Sequence, residues 1–163
     1  MSEQAQSQWW WTAEGFFLVQ QFDLGQPALS PKQLIVAIDR QVMARNRRLT
    51  LNLASWREDT LWLGPIALLR LGPLMAQPPD RVGGGWRAIR GGLIAQSAPG
   101  SLYYTLAAQQ GRTLLSVGLA GFVPRLPRVL FEHLQLPVHR RLIRAAAGDL
   151  QAELARAAPD NRA

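Results

Sequence analysis

The side chains that most often carry enzymatic or metal chemistry are sparse in this sequence. There is no cysteine, which excludes disulfides, thiolate nucleophiles and thiolate-ligated zinc or iron–sulfur sites. The only two histidines are His133 and His139. Six residues along a helix correspond to a rotation of roughly 600°, so these two rings point about 120° apart and make poor co-ligands. We therefore predict neither a metal site nor a cofactor.

Motifs for nucleophilic, acid–base and nucleotide chemistry are also missing. Ser97 and Ser116 stand in no G-x-S-x-G turn. Glu58 and Asp59 are the only close pair of acids, and adjacent residues in a turn seldom span a substrate. The stretch 83–88, GGGWRA, matches a dinucleotide-site glycine pattern but lacks a preceding buried strand and an acid about 20 residues later. We interpret this stretch as a glycine-rich loop.

Arginine dominates the charge of the chain. The 163 residues include 18 Lys+Arg against 11 Asp+Glu, a formal net charge of +7, and Lys32 is the only lysine. Such a field favours anionic partners, and guanidinium groups form bidentate contacts with phosphate and carboxylate. A solvated basic face without a partner is the alternative interpretation. The candidate anion-binding side chains are Arg47, Arg48, Arg140, Arg141 and Arg144.

The aromatic residues are concentrated near the start, where Trp9, Trp10 and Trp11 are consecutive. Core packing is the usual role of such side chains. However, neighbouring residues of a regular element point in different directions, so the three indoles cannot all face one core. At least one should be exposed, bound to a partner or placed at the mouth of a pocket. We predict that this patch pairs two copies of the chain as a homodimer.

The elements that position these residues follow from periodicity and turn residues. Residues 9–24 alternate as one strand, and Ser30-Pro31 begins an amphipathic helix over 31–45. A long helix over 127–157 is expected because leucine, valine and alanine recur every four residues, and Pro137 should kink or split it. The remaining strands are predicted over 49–56, 61–65, 69–73, 86–96, 101–109 and 112–122.

This order of elements predicts an α+β fold rather than alternating βαβ units. The length fits a single domain, which we place at residues 9–158 between disordered ends at 1–8 and 159–163. No secretory leader is visible at the N-terminus. The apolar stretch 61–79 contains Arg70 and four prolines, which a membrane-spanning helix would not tolerate. We therefore predict a soluble, cytoplasmic protein.

Four segments, taken together with the element order, are similar to a known family. They are GSLYYTL at 100–106, RTLLSVGLAGF at 112–122, PRLP at 124–127 and LQLPVHRRLIR at 134–144. In the order of their elements and in their residue pattern they resemble the helix-grip, START-like superfamily. This superfamily includes birch-pollen-allergen-like proteins and polyketide cyclase-like or dehydratase-like bacterial proteins. The resemblance implies a curved antiparallel sheet that grips a long C-terminal helix. The glycine–proline interruptions at 64–65 and 72–73 depart from this pattern and leave the number of middle strands open.

The resemblance also implies a hydrophobic cavity between sheet and helix, which would hold a lipid, isoprenoid or polyketide-like molecule. Catalytic residues vary across the superfamily, so none is carried over, and we predict binding of a small apolar molecule rather than catalysis. Two alternatives stay open: a cyclase-like or dehydratase-like enzyme using the same cavity, and an arginine-rich surface for an anionic membrane, with nucleic acid less favoured. The residues expected to line the cavity are Trp62, Trp86, Tyr103, Tyr104, Leu130, Leu134 and Leu142.

Overall fold

The computed structural model of the chain describes residues 6–49, 54–57, 59–63, 65–76, 83–96 and 100–157. Within these ranges the strands are β1 (Gln6–Thr12), β2 (Gly15–Asp23), β3 (Ala54–Arg57), β4 (Thr60–Leu63), β5 (Ile66–Leu71), β6 (Met75–Ala76), β7 (Gly84–Gly91), β8 (Ser101–Gln109) and β9 (Arg112–Phe122). The helices are α1 (Pro31–Leu49), α2 (Arg128–Leu130), a π-helical turn (Phe131–Gln135) and α3 (Leu136–Ala157).

The strands form one curved antiparallel sheet in the order β1-β2-β9-β8-β7-β5-β4-β3, with the short β6 paired to β7. Helices α1 and α3 pack against each other and against the sheet, and the core lies between them. The predicted α+β class, with a curved sheet and a long C-terminal helix, is confirmed. None of the described helices carries an apolar stretch long enough to cross a bilayer.

The N-terminal strand prediction is wrong, because residues 9–24 do not form one strand. The segment folds into the hairpin β1–β2, in which Trp10 lies opposite Phe17. The Glu14 N–H donates to the Thr12 hydroxyl at 3.0 Å, and Gly15 adopts a φ of 127° that favours glycine. Apolar and polar residues alternate on both sides of this tight turn, so periodicity alone does not reveal it. The hairpin also begins inside the stretch 1–8 that was predicted to be disordered, of which 1–5 lie outside the described residues.

Helix α1 begins where the sequence predicts it and continues four residues further, to Leu49. Its first turn is closed by a reciprocal cap: the Ser30 N–H donates to Gln33 Oε1 at 2.9 Å, and the Gln33 N–H donates to the Ser30 hydroxyl at 3.4 Å. The apolar face that packs into the core consists of Leu34, Ile35, Ala37, Ile38 and Val42. This amphipathic pattern holds α1 against the sheet.

The bounds of β8 and β9 match their predictions, whereas β7 ends at Gly91 rather than at residue 96. Gly92 explains the early end: its φ is 137°, and a Cβ there would lie 2.4 Å from the Leu68 carbonyl oxygen. The two L-x-L-G-P segments become β4 and β5, which pair with each other. For the strand predicted over 49–56, residues 50–53 lie outside the described part, and β3 covers Ala54–Arg57.

The C-terminal helical segment changes geometry just before Pro137. Proline has no N–H to donate, and its ring would clash with the carbonyl of His133 in a regular α-helix. Over Phe131–Gln135 the backbone widens to a π-helical turn, and the Leu136 N–H donates to the Phe131 carbonyl, five residues earlier. The interruption predicted from Pro137 is thus present, as a π-helical turn that joins α2 to α3.

Candidate functional site

A small cavity lies between the sheet and helix α3. Its volume is about 40 Å³, and most of the space beneath the helix is filled by core side chains. Strands β5, β7, β8 and β9 supply one wall, and α1 and α3 supply the other. The lining residues are Val42, Leu69, Leu71, Ile89, Leu102, Leu119, Phe122, His139, Leu142 and Ile143. Nine of these ten side chains are apolar, so His139 is the polar group of the lining.

His139 is held between aromatic rings and an amide. Its ring meets Phe122 edge-on, with centroids 5.5 Å apart. Burial lowers the pKa of His139 to about 4, so the imidazole is neutral at pH 7. The Gln135 Nε2 donates to the Ile94 carbonyl at 3.3 Å and lies 3.1 Å from His139 Nε2. Because an amide nitrogen only donates, His139 Nε2 accepts and Nδ1 carries the ring proton.

Two polar atoms beside this histidine are buried without a hydrogen-bond partner among the described residues. They are the Gln135 Oε1 and the Arg140 Nε. Buried polar groups are normally satisfied by protein or by water, and a lone donor or acceptor costs about 1–3 kcal/mol. The start of α3 therefore combines an apolar cavity with unused hydrogen-bonding capacity.

A buried ionic cluster adjoins the cavity. Arg87 donates to both Asp39 oxygens at 2.8 Å and to Asp59 Oδ1 at 2.6 Å. The Tyr104 hydroxyl donates to Asp39 Oδ1 at 2.9 Å. Burial raises the pKa of Tyr104 well above its usual value, and the Asp39 contact raises the pKa of Arg87. Arg87 pairs in register with Leu102, which places the cluster next to the cavity wall.

This cluster is a structural link rather than a reactive site. The Asp39 carboxylate accepts three hydrogen bonds, and Arg87 also donates to the Gly72 carbonyl at 2.9 Å. Each charged group of the cluster is paired, and the partly exposed Asp59 is also open to solvent, so no group is left poised for proton transfer. The cluster fastens α1 to β7 and β8. The sequence signal for the cluster is Asp39 itself, an acid that stands between the core-facing residues Ile38 and Val42 in the segment VAIDRQV of α1.

The structure distributes the predicted strand residues of the cavity over different surfaces. Tyr104 faces inward but ends on Asp39. Tyr103 lies on the opposite face, where its ring covers Gly118 and burial raises the pKa of its hydroxyl. Trp86 pairs with Tyr103 in register and is exposed on that outer face, and Trp62 on β4 is half-buried. None of these four residues is part of the cavity lining.

The helix residues that were predicted to line the cavity also lie on different surfaces. Leu142 is buried and lines the cavity, whereas Leu130 and Leu134 are exposed. A four-residue repeat exceeds the 3.6 residues of a helical turn, so its stripe rotates by about 40° at each step. The stripe therefore begins on the solvent side and reaches the core only at Leu142. Phe131 and Leu136 take the buried positions at the start of the segment.

The predicted anion-binding arginines are partly described. The side chains of Arg47 and Arg48 lie outside the described residues. Arg141 and Arg144 are exposed on α3, and Arg140 is half-buried. Arg141 and Arg144 form no ion pair with any other described residue. These two guanidinium groups are therefore available to an anionic partner.

The three tryptophans lie on β1, at the edge of the sheet. Trp9 and Trp10 are 40% and 42% exposed, which confirms that at least one of the three indoles is exposed. Trp11 is half-buried, and its Nε1 donates to Glu132 Oε1 at 2.8 Å beneath the guanidinium of Arg128. The homodimer through this patch stays a prediction.

Comparison with known proteins does not assign the chain to a family. No family model matches it, and no curated protein matches it. One similar solved structure is the crystal structure of CalU16 from Micromonospora echinospora, which is 14% identical with a TM-score of 0.36 over 94% of each chain. Within the described part of the chain, no three His, Asp or Glu side chains come together as metal ligands would.

Proposed function

We propose that the chain binds a small, largely apolar molecule in the cavity between the sheet and α3, with His139 as its polar contact. The observation that carries this proposal is the lining: nine apolar side chains and one histidine. Sites for small molecules are mostly apolar, with a few polar groups that fix orientation. The neutral His139 offers a ring N–H at Nδ1, for which no described residue provides an acceptor. It therefore suits a carbonyl, ether or hydroxyl oxygen.

The size of the cavity sets a condition on binding. A volume of about 40 Å³ admits water-sized groups, whereas pockets for small molecules typically measure about 300–1,000 Å³. Binding therefore includes an outward displacement of α3, whose Leu142 and Ile143 close the cavity. The π-helical turn before Pro137 is a natural hinge, because its backbone hydrogen bonds already depart from α-helical geometry.

The lining favours binding over the cyclase-like or dehydratase-like alternative. General acid–base catalysis works best when a group has a pKa near the working pH. The pKa of His139 is about 4, which makes the imidazole a weak base at pH 7. The nearby carboxylate of Asp39 is fully engaged by Arg87 and Tyr104.

A titration with the uncharged fluorescent probe Nile red tests the proposal. Wild-type protein should enhance the fluorescence saturably. Val42→Ile, which adds a methylene group at the cavity wall, should weaken binding. The matched change Val36→Ile on the exposed face of the same helix, where Val36 lines a separate open groove, should not; a selective loss in Val36→Ile would contradict the proposal by placing the probe in that groove. Equal binding by all three proteins would place the probe elsewhere and contradict the proposal. Absence of binding to the wild type would contradict it as well.

A further inference from the structure

Exposed apolar side chains are concentrated around α2 and the π-helical turn. The described residues expose twelve large apolar side chains, and six of them belong to this region, with exposures of 38% to 66%. We call them the helix-start patch. Its members are Leu93, Leu126, Val129, Leu130, Leu134 and Val138. A concentration of exposed apolar side chains in one region often marks a binding surface.

Hydrogen bonds hold the segments that carry the patch next to one another. Leu130, Leu134 and Val138 follow one another at four-residue spacing, and all three are exposed on the solvent side of the helical segment. The segment that carries Leu93 is tied to the helix, since the Gln135 amide donates to the Ile94 carbonyl at 3.3 Å. The same segment is also linked to the residues just before α2, because Arg125 Nε donates to the Ala95 carbonyl at 3.2 Å.

Positive charge predominates in the chain segment that carries five of these six side chains. Residues 124–148 contain five arginines and a single acid, Glu132, a formal net charge of +4 with both histidines neutral. The Glu132 carboxylate is engaged by Arg128 and by the Trp11 indole. Arg141 and Arg144 are exposed and form no ion pair with another described residue. A partner that matches this surface would be apolar at its centre and anionic at its rim.

We propose that the helix-start patch docks the protein on an anionic lipid bilayer. Its leucines and valines would enter the acyl–headgroup boundary, while its arginines contact lipid phosphates. Single-stranded nucleic acid fits less well, because bases stack on aromatic rings and this patch exposes none; Phe131 at its centre is buried. This docking goes beyond the proposed function and stands whether or not the cavity binds a ligand.

Co-sedimentation with phosphatidylcholine vesicles, with and without phosphatidylglycerol, tests the docking. Wild-type protein should bind the anionic vesicles more tightly, and added salt should weaken that binding. Arg141→Gln with Arg144→Gln should lower the partition coefficient by about thirtyfold, because each arginine near an anionic surface contributes roughly fivefold. Leu134→Ser should lower it by about tenfold or more through lost apolar burial.

Two matched controls isolate the patch. Val36→Ser removes a 51% exposed apolar side chain from α1, and Lys32→Gln removes an exposed charge outside the patch. Both should bind vesicles like the wild type. Absence of wild-type binding to anionic vesicles would overturn the proposal. So would binding to nucleic acid in its place, or an oligomer that Leu134→Ser dissociates while vesicle binding is absent.

Discussion

Replacing Val42 with isoleucine should stabilise the protein, because the added methylene group enters an existing cavity. Most additions to a packed core force strain, but Val42 borders about 40 Å³ of unoccupied space. Burial of one methylene group contributes about 0.8 kcal/mol. The cost of cavities, about 24 cal/mol per Å³, gives an upper limit of about 1 kcal/mol for filling this one. The free energy of unfolding should therefore rise by about 0.5–1 kcal/mol.

Urea unfolding, followed by circular dichroism, measures this difference. Val36→Ile makes the same chemical change on the exposed face of α1 and should leave the free energy of unfolding within about 0.5 kcal/mol of the wild type. A decrease of about 1 kcal/mol or more for Val42→Ile would mean overpacking. That result would refute the assignment of free space to this position, and with it the site of the proposed binding.

Three further predictions concern the histidine, the ionic cluster and the edge strand. Burial lowers the pKa of His139 from 6.5 to about 4, so the unfolded chain binds a proton at this residue more readily than the folded chain does. The free energy of unfolding should therefore fall by about 3 kcal/mol as the pH drops from 6.5 to 4. Urea unfolding across this range should show a smaller fall for His139→Gln, and an equal fall would contradict the assignment. Asp39→Asn removes the buried charge that accepts two hydrogen bonds from Arg87, leaving only Asp59 as its ionic partner, and should cost about 3 kcal/mol. Tyr104→Phe removes one hydrogen bond and should cost about 1 kcal/mol. Equal costs in denaturant unfolding would argue against the cluster as described. If β1 pairs two copies, sedimentation equilibrium should give twice the 18.1 kDa chain mass for the wild type and the single mass for Trp9→Lys; a monomeric wild type would rule the pairing out.

Sequence patterns located the elements better than they located the faces of those elements. Strands β8 and β9 were predicted to the residue, because alternation and the intervening Gln110-Gly111 turn agree. Which face of a strand is buried depends on register, and a shift of one residue exchanges the faces. Tyr103 and Tyr104 illustrate this dependence, since adjacent tyrosines of one strand ended on opposite sides of the sheet.

The polar residues of the candidate site required tertiary structure. Nothing in the local sequence distinguishes His139 from a solvated histidine next to two arginines, because its burial depends on packing against Phe122 and Phe131. Leu130 and Leu134 were predicted to line the cavity because their spacing continues that of Leu142. The drift of a four-residue repeat, together with the π-helical turn, carries them to the surface.

Native mass spectrometry of the freshly purified protein, followed by denaturation and analysis of released small molecules, tests the central claim most directly. Binding in the cavity predicts a mass above 18.1 kDa by one apolar compound, and loss of that compound in Val42→Ile but not in Val36→Ile. The same compound retained equally by all three proteins would contradict binding in this cavity. A wild-type protein that carries no compound and takes up no Nile red when offered it would contradict ligand binding altogether.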